Sequence, residues 1–257
     1  MKTISNLKVL ILAGGFGSRL SELTHDIPKP LVKIGRDPII LHIIRIYLSQ
    51  GLRDFYIATG YKKNEFLKFF KIKKKFFNKN NKIHSTKFKL DGKTCTINLI
   101  DTGKNTMTGG RVREAFNHIR DNFFLLTYGD GLANINIKKL IQFHLKKKKL
   151  ITVTAVNPPP RFGEITIINS SVKKFSEKKK IKKVWINGGF FVINKKFIKF
   201  IKSKKTILEQ EPLEKVAKIN QMSAYKHNGF WQCMDTKRDR DKLIKLVVKN
   251  KCSWLDI

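Results

Sequence analysis

The sequence predicts an α/β fold built on a twisted, mostly parallel β-sheet. Nearly continuous apolar runs at residues 8–13, 123–127 and 151–156 are typical of parallel strands that are covered on both faces. Between the first two lies an amphipathic segment of helix length, opened by Pro38 and closed by Gly51. Because strands alternate with helices along the chain, we expect βαβ units and a parallel sheet.

The elements of the first half continue this alternation. A strand with a glycine exit is expected in DFYIATGY at residues 54–61, followed by an amphipathic helix led by Asn64. Residues 76–90 are rich in Lys, Asn and Phe, and we expect a long irregular loop there. A strand at residues 96–100 and a helix that begins near Arg111 come next.

The second half is richer in short strands. Residues 164–168 and 172–175 predict an antiparallel pair, and residues 187–193 predict a further strand. Two helices follow, the second near residues 209–219. A final strand ends at residues 229–235 and precedes a closing amphipathic helix. A chain of 257 residues fits one large α/β domain, so we expect a single domain.

The composition is that of a globular but very basic protein. Hydrophobic residues make up 41% of the chain and charged residues 28%, which allows a sizeable core and argues against disorder. The 54 Lys and Arg residues against 19 Asp and Glu give a formal charge of +35, which alone suggests a polyanionic partner. The lysines are spread along the whole chain without an arginine-rich, aromatic-interleaved patch. We therefore expect solvated lysines and no nucleic-acid partner.

Cysteine spacing and apolar segments argue against other classes. Cys95, Cys233 and Cys252 show no C-x-x-C spacing, which makes a disulfide framework and a structural zinc site unexpected. The apolar run before Gly14 is too short for the core of a signal peptide. No segment approaches the roughly eighteen apolar residues of a membrane span. We expect a cytoplasmic protein without a membrane partner.

A glycine-rich turn after the first strand predicts a phosphate site. In LILAGGFGSRL, residues 10–20, glycines allow backbone N–H groups to approach phosphate oxygens, and Arg19 adds a permanently charged fork. Lys29 follows between two prolines. The dinucleotide fingerprint would need glycine at Leu20, and the P-loop would need glycine at position 19, so both are excluded. The layout favours a nucleoside triphosphate site, with an ordinary turn as the plain alternative.

Two aspartates at strand ends predict a metal site. A sugar phosphate is already ionised near neutral pH, so nucleotidyl transfer to it needs no general base. It needs cations around the triphosphate and carboxylate ligands for a divalent metal. Arg19 and Lys29 fit the first role. Asp130 and Asp235, each after an apolar strand, fit the second, and turn or N-cap residues are the alternative reading of each.

Motifs spread over nearly the whole chain resemble those of one enzyme family. They are LAGGFGSRL, PKPLVKIG, ATGYK, DTGKNTMTGGR, TYGDG, PPPRFGEI, INGGFFVIN, LEQEPL and HNGFWQCMDT. The glycine turn and the lysine resemble sugar-phosphate nucleotidyltransferases in general. The segments around MTGGR, EQEPL and GFWQ resemble the cytidylyl branch, the glucose-1-phosphate cytidylyltransferases.

The resemblance implies a fold, an activity and a setting. The fold would be a Rossmann-like three-layer nucleotidyltransferase fold with a small β-rich sugar-binding lobe, the nucleotide-binding part at about 1–150 and the sugar-phosphate part at about 151–257. The activity would be Mg²⁺-dependent transfer of a cytidylyl group from CTP to α-D-glucose 1-phosphate, giving CDP-glucose and diphosphate. A homo-oligomer and a role in nucleotide-sugar biosynthesis for O-antigen or lipopolysaccharide are also implied.

The same resemblance implies site residues, position by position. Catalysis would involve Arg19, Lys29 and Asp130, and the metal would be held by Asp130 and Asp235. The nucleotide would be bound by the glycine turn, the lysine, the MTGGR loop and a strand-end glycine: Leu12, Ala13, Gly14, Gly15, Phe16, Gly17, Ser18, Arg19, Lys29, Thr106, Thr108, Arg111 and Gly129. The sugar phosphate would be bound by Gly163, Glu177, Lys178, Asn187 and Gly188.

Two alternatives remain open on the sequence. One is a related transferase that uses UTP or dTTP, although the thymidylyl relatives have a proline-glycine loop in place of MTGGR. The other is a basic protein that binds nucleic acid or an acidic surface on an old enzyme fold, as the +35 charge suggests. A salt titration separates the second from an enzyme, because specific polyanion binding must persist at physiological ionic strength.

Overall fold

A computed structural model describes residues 6–72, 82–119, 121–158, 164–177 and 184–255. The strands are β1 (Lys8–Leu12), β2 (Lys33–Ile34), β3 (Asp37–Pro38), β4 (Asp54–Thr59), β5 (Ile83–Leu90), β6 (Lys93–Asp101), β7 (Phe123–Tyr128), β8 (Gly131–Ala133), β9 (Ile151–Val156), β10 (Glu164–Ile168), β11 (Ser171–Ser176), β12 (Ile186–Asn194), β13 (Met222–His227) and β14 (Trp231–Cys233). The α-helices are α1 (Ser21–Thr24), α2 (Ile39–Ser49), α3 (Lys63–Phe69), α4 (Thr108–Phe116), α5 (Ile137–Lys147), α6 (Glu211–Lys218) and α7 (Lys237–Val248).

Eight of these strands form one mixed sheet in the order β13-β9-β12-β7-β1-β4-β6-β5. Its centre, β7-β1-β4-β6, is parallel throughout, and β13 is parallel to β9. The strand β12 runs antiparallel to both of its neighbours, and the edge strand β5 runs antiparallel to β6. The predicted α/β fold with a mostly parallel, mixed sheet is confirmed.

The sheet is covered on both faces, which explains why its central strands are apolar throughout. Val9 and Ile11 of β1 belong to one cluster of buried side chains, together with residues of α2 and α5. Leu10 and Leu12 point the other way, into a second cluster with residues of α4 and α6. Helices therefore pack against both sides of the sheet, giving the three layers that were expected.

Three regions differ from the sequence predictions. Residues 83–90 are not an irregular loop but the strand β5, paired with β6 along its whole length, whereas residues 76–81 lie outside the described part of the chain. The strand β14 does not join the large sheet and pairs only with β8. The sheet edge is instead β13, which the sequence pattern did not reveal.

Other elements follow the prediction closely, with two differences between residues 130 and 200. Strands β10 and β11 form the expected antiparallel pair as a separate two-stranded sheet. The helix α5 was not predicted, and the first of the two helices expected after β12 is a 3₁₀ turn at Lys195–Phe200. Among the helices of the described residues, none combines the length and apolar content that crossing a membrane requires.

Candidate functional site

The carboxyl ends of β1 and β7 open into a cleft of about 670 Å³. The glycine-rich turn leaves β1 at this edge and is tied to the end of β4. Ala13 donates its backbone N–H to the carbonyl of Ala58 at 3.0 Å, and Tyr61 donates to the carbonyl of Gly14 at 3.2 Å. Ligands of open α/β sheets bind at this edge, so the turn lies where a substrate is expected.

All the residues that the sequence assigned to the nucleotide line this one cleft. They come from the glycine turn, the lysine segment, the start of α4 and the end of β7: Leu12, Ala13, Gly14, Gly15, Phe16, Gly17, Ser18, Arg19, Lys29, Thr106, Thr108, Arg111 and Gly129. Asp130, Asp235 and Asn187 line it as well. The structure thus brings together residues that lie far apart in the chain, while their individual binding roles stay predictions.

Lys29 lies between the two predicted metal ligands. Its Nζ donates to Oδ2 of Asp130 and to Oδ1 of Asp235, both at 2.7 Å. Arg19 reaches the other oxygen of Asp235, with Nη1 3.1 Å from Oδ2. The Lys29 side chain is only 13% exposed, whereas that of Arg19 is 77% exposed. One cation is therefore fixed in the floor of the cleft and the other is free to turn toward a ligand.

Gly129 allows this close approach. A Cβ at this position would lie 2.7 Å from Cγ of Pro30 and 2.8 Å from the carbonyl oxygen of Leu12. Any larger residue would push the lysine segment away from the ends of β1 and β7. The absence of a side chain at Gly129 thus sets the distance between Lys29 and Asp130.

The pKa shifts of Lys29 and Asp235 agree with an ion pair between their side chains. Burial alone would lower the pKa of Lys29, but Asp130 and Asp235 outweigh it and raise that pKa above its ordinary value. Burial alone would raise the pKa of Asp235, but the hydrogen bond and charge of Lys29, with the charge of Arg19, lower it. Lys29 is therefore protonated and Asp235 ionised at neutral pH.

The two aspartates present carboxylate oxygens of the kind that a divalent cation binds. Both carboxylates already converge on a single positive group, the Lys29 ammonium, so their oxygens lie within two hydrogen-bond lengths of each other. Oxygen ligands from two carboxylates suit Mg²⁺, which usually keeps waters or substrate phosphates as its other ligands. The described residues form no larger cluster of acidic, histidine or cysteine ligands. The donor set fits a metal that is shared with a phosphate substrate.

The helix α7 holds Asp235 in position. Thr236 is the N-cap of this helix, and its Oγ1 accepts from the backbone N–H of Asp239 at 3.2 Å. Oδ2 of Asp239 in turn accepts from the backbone N–H groups of Asp235 at 3.2 Å and Thr236 at 3.0 Å. This capping box fixes the backbone on both sides of the predicted ligand.

Arg111 lies beneath the glycine turn, and its guanidinium is hydrogen-bonded to the protein itself. Nη2 donates to the carbonyl of Gly14 at 2.8 Å, and Nη1 donates to the carbonyls of Thr59 at 3.1 Å and Gly103 at 2.9 Å. Burial lowers the pKa of Arg111 to about 10, which leaves it protonated at neutral pH. Its principal structural role is to join the ends of β1, β4 and β6.

Gly14 leaves room for this arginine. A Cβ at Gly14 would lie 2.2 Å from Nη1 of Arg111, so the guanidinium would have to move and give up its bonds to the carbonyls. The first glycine of the turn therefore serves packing against the guanidinium as well as any approach to phosphate.

The residues predicted to bind the sugar phosphate are only partly described. Asn187 lines the cleft, and the carbonyl of Gly188 accepts from Nε1 of Trp231 at 2.8 Å. Glu177 is exposed and is not among the residues that line the cleft. Gly163 and Lys178 lie outside the described residues. The sugar-phosphate assignments stay predictions.

Tyr128 and Glu209 line the cleft but were missed from the sequence. The Tyr128 hydroxyl donates to Oε1 of Glu209 at 2.6 Å, and Thr108 donates to Oε2 of the same carboxylate at 2.6 Å. Both residues stand inside motifs that the resemblance singled out, TYGDG and EQEPL. Their motif position was the available signal, but only the fold shows that these two motifs meet.

Known proteins of one family are similar to this chain over nearly its whole length. A family model described as nucleotidyl transferase matches residues 8–257. The chain belongs to the nucleotidyl transferase family. It is 41% identical to the glucose-1-phosphate cytidylyltransferase of Salmonella typhimurium, over 96% of this chain and 98% of that protein. It is 38% identical to the probable glucose-1-phosphate cytidylyltransferase of Bacillus subtilis, over 96% of this chain and 99% of that protein.

A solved structure supports the fold of this nucleotidyltransferase. The crystal structure of HddC from Yersinia pseudotuberculosis matches with a TM-score of 0.70 at 22% identity, covering 94% of this chain and 99% of that one. At this identity the match concerns the fold alone. The predicted family and the predicted nucleotidyltransferase fold are both confirmed.

Proposed function

We propose that this nucleotidyltransferase transfers a cytidylyl group from CTP to α-D-glucose 1-phosphate, giving CDP-glucose and diphosphate. Similarity to two cytidylyltransferases over nearly their whole length supports the substrates. The observation that carries the chemistry is the position of Lys29, held 2.7 Å from each of two carboxylates at the floor of the cleft. Cations and metal ligands meet there beside a glycine-rich turn.

The reaction needs charge neutralisation and alignment. An oxygen of the sugar phosphate attacks the α-phosphorus of CTP, the bond from that phosphorus to the bridging oxygen breaks, and diphosphate leaves. Lys29 would contact the α-phosphate, and the exposed Arg19 would turn toward the leaving diphosphate. The backbone N–H groups of the glycine turn would orient the triphosphate.

A divalent metal completes this proposal. Nucleotidyltransferases of this family generally use one, and we propose Mg²⁺ with Asp130 and Asp235 as its protein ligands. When bound, it neutralises phosphate charge in the ground state and the transition state. Asp130 and Asp235 hold it, and α7 fixes the second of them through its capping box.

The other sequence assignments enter the proposal unchanged. Thr106, Thr108 and Arg111 would form the wall of the cytidine pocket, with Gly129 against the nucleotide. The sugar phosphate would contact Asn187 and Gly188, and also Gly163, Glu177 and Lys178 in the early part of the second half. The boundary near residue 150 between the two binding parts remains a prediction of the same kind.

We further propose a cytoplasmic homo-oligomer that supplies CDP-glucose to surface-polysaccharide synthesis and has no nucleic-acid partner. The hairpin of β10 and β11 supports an assembly, because a two-stranded sheet is marginal by itself and this one leaves large apolar side chains exposed. Ile165 is 52%, Ile167 58% and Phe175 66% exposed. A molar mass measured by light scattering above that of the monomer is expected, and a monomer would contradict the proposal.

The decisive assay is diphosphate release with glucose 1-phosphate and each of CTP, UTP, dTTP, ATP and GTP, with and without Mg²⁺. We expect release with CTP in the presence of Mg²⁺ and little with the other four nucleotides. A preference for another nucleotide would overturn the assignment of CTP. Full activity after removal of divalent metal by EDTA would overturn the role of Asp130 and Asp235.

A further inference from the structure

Glu209 is held rigidly at the cleft although it lies in a loop. The backbone N–H of Leu208 donates to Oγ1 of Thr108 at 2.9 Å, and the Leu208 side chain is fully buried. On the other side, Leu213 in the first turn of α6 donates to the carbonyl of Leu208 at 3.2 Å. The carboxylate of Glu209 is therefore presented from a fixed backbone.

The hydrogen bonds of this carboxylate decide which groups face the cleft. An ionised carboxylate only accepts hydrogen bonds. The hydroxyl groups of Thr108 and Tyr128 therefore both donate to it, at 2.6 Å in each case. Burial, followed by the charge of Glu209, raises the pKa of Tyr128, so its hydroxyl stays protonated and donates. Tyr128 Oη also accepts from Nδ2 of Asn187 at 3.1 Å.

This corner of the cleft consequently presents acceptors. Thr108 already accepts from Leu208, and each hydroxyl has given its only proton to Glu209. What remains toward a ligand is lone pairs on the two hydroxyls and on the carboxylate. Both hydrogen-bond donors to Glu209 within the described residues are neutral hydroxyls, so its negative charge is not cancelled by a lysine or arginine there.

The charge of the cleft separates this corner from the phosphates. Arg19 and Lys29 are paired with Asp235 and Asp130, where the triphosphate is proposed to bind, whereas Glu209 is hydrogen-bonded to Thr108 and Tyr128. A carboxylate repels phosphate, so Glu209 suits an uncharged part of a substrate that carries N–H or O–H groups. Thr108 belongs to the proposed cytidine wall and Asn187 to the proposed sugar wall, and Glu209 connects them.

We propose that Glu209 is a specificity-determining residue whose carboxylate accepts a hydrogen bond from an N–H or O–H group of a substrate. The donor is the exocyclic amino group of cytosine or a hydroxyl of the sugar, and the proposal rests on the function proposed above. A carboxylate that reads an amino group rejects the uracil carbonyl, which is an acceptor at the same position.

The test compares ratios of kcat/KM in Glu209→Gln and in the wild-type protein. Glutamine keeps the size of the side chain but replaces one oxygen with a donor group. One arm measures CTP against UTP, and the other measures glucose 1-phosphate against analogues that each lack one hydroxyl. We expect one of the two ratios to fall on the order of tenfold, and the arm in which it falls names the donor group.

Two further variants keep the test specific. Glu211→Gln is the matched control, because Glu211 stands two residues away and pairs only with Lys202 at 2.9 Å and Lys215 at 2.6 Å among the described residues. Its ratios should equal those of the wild type. Tyr128→Phe removes one donor from Glu209 and should shift the same ratio in the same direction.

Parallel loss of activity with all substrates, with both ratios unchanged in the Gln and Phe variants, would show a merely structural role and overturn the proposal. If Glu209→Gln does not fold, as judged by thermal unfolding, the ratios of Tyr128→Phe decide. If the wild-type protein turns over no substrate pair, the proposed function fails. The ratios of dissociation constants for CTP and UTP, and for glucose 1-phosphate and its analogues that lack one hydroxyl, compared between the wild type and Glu209→Gln, then decide the inference about Glu209.

Discussion

Lys29 carries the charge balance of the site at the scale of single residues. Its ammonium neutralises Asp130 and Asp235 from a position that is 13% exposed. In the proposed reaction a divalent cation would use the same carboxylate oxygens, so lysine and metal would compete for them until the lysine turns to a phosphate. The residue therefore couples metal binding to nucleotide binding in the proposed reaction.

Replacing Lys29 should separate these two roles. In Lys29→Met, we expect Mn²⁺ to bind the nucleotide-free protein about tenfold more tightly, because the competing ammonium is gone. Turnover should fall on the order of a hundredfold, because a cation at the α-phosphate is lost.

Electron paramagnetic resonance titration of Mn²⁺ and diphosphate release measure the two effects. Lys33→Met, on the exposed end of the same segment, serves as control. Weaker Mn²⁺ binding in Lys29→Met would refute the competition.

Arg111 makes a second prediction at this scale. Arg111→Ala leaves the buried carbonyls of Gly14, Thr59 and Gly103 without this donor, so the free energy of unfolding should fall by about 3 kcal/mol. Arg113→Ala, on the exposed side of the same helix, should cost less than about 1 kcal/mol. Urea denaturation measures both, and equal losses would contradict the structural role of Arg111.

Sequence reasoning predicted the residues of the cleft better than their contacts. The sequence predictions named Lys29, Asp130 and Asp235, and the structure places all three in one cleft, although Asp235 follows β14, which lies outside the large sheet. Sequence reasoning could not show that the guanidinium of Arg111 is hydrogen-bonded to carbonyls, since these bonds span 8 to 97 residues of the chain. The same holds for the bond between Tyr128, the last residue of β7, and Glu209, which lies in the loop before α6.

The secondary-structure elements also differ in how clearly the sequence predicts them. Central strands such as β1 and β9 are apolar throughout because both faces are covered, and this pattern is visible in the sequence. The edge strands β5 and β13 have one neighbouring strand each and consist largely of exposed or partly buried residues. Their sequences therefore lack the continuous apolar runs of the central strands. The strand β5 forms a hairpin with β6 across the two-residue turn Asp91-Gly92, a turn signal that the sequence contains, whereas β13 pairs with β9, which lies far earlier in the chain.

The N-cap of α7 gives a prediction at the scale of elements. Thr236→Ala removes a cap, so stability should fall by about 1 kcal/mol, and activity should also fall because Asp235 is the next residue. Asn136→Ala removes a similar cap from α5, where Oδ1 accepts from the backbone of Lys139 at 2.9 Å. It should cost similar stability without loss of activity beyond the unfolded fraction. Thermal unfolding and diphosphate release compare the two, and equal activities would contradict the positioning role of α7.

Two buried histidines contribute to the way the stability of the whole molecule responds to pH. Burial lowers the pKa of His42 and of His144 to about 4, from an ordinary value of 6.5. Between these values the unfolded chain binds protons that the folded protein does not. Stability is therefore complete above pH 6.5 and decreases as the pH falls toward 4, by up to about 3 kcal/mol per histidine.

Replacing one histidine should flatten this response. His144→Gln is expected to lose less unfolding free energy than the wild type between pH 6.5 and pH 4, as measured by urea denaturation at several pH values. His25→Gln is the control, because that side chain is 88% exposed, and its pH response should equal that of the wild type. An unchanged slope in His144→Gln would show that this histidine does not contribute.

The amino-acid composition indicates the function of the protein less clearly than its motifs and fold do. The formal charge of +35 suggested a polyanionic partner, but the cleft has its own specific chemistry in Lys29, Asp130 and Asp235. Similarity over residues 8–257 to the nucleotidyl transferase family agrees with that chemistry. Together they support one reaction, the transfer of a cytidylyl group from CTP to glucose 1-phosphate.

A competition experiment tests this claim most directly. The protein is incubated with Mg²⁺, glucose 1-phosphate and an equimolar mixture of CTP, UTP, dTTP, ATP and GTP, and the nucleotide sugars formed are identified by mass spectrometry. The account predicts CDP-glucose as the dominant product, and its loss in Asp130→Asn. A different nucleoside diphosphate glucose as the main product, or none at all from the folded wild-type protein, would contradict it.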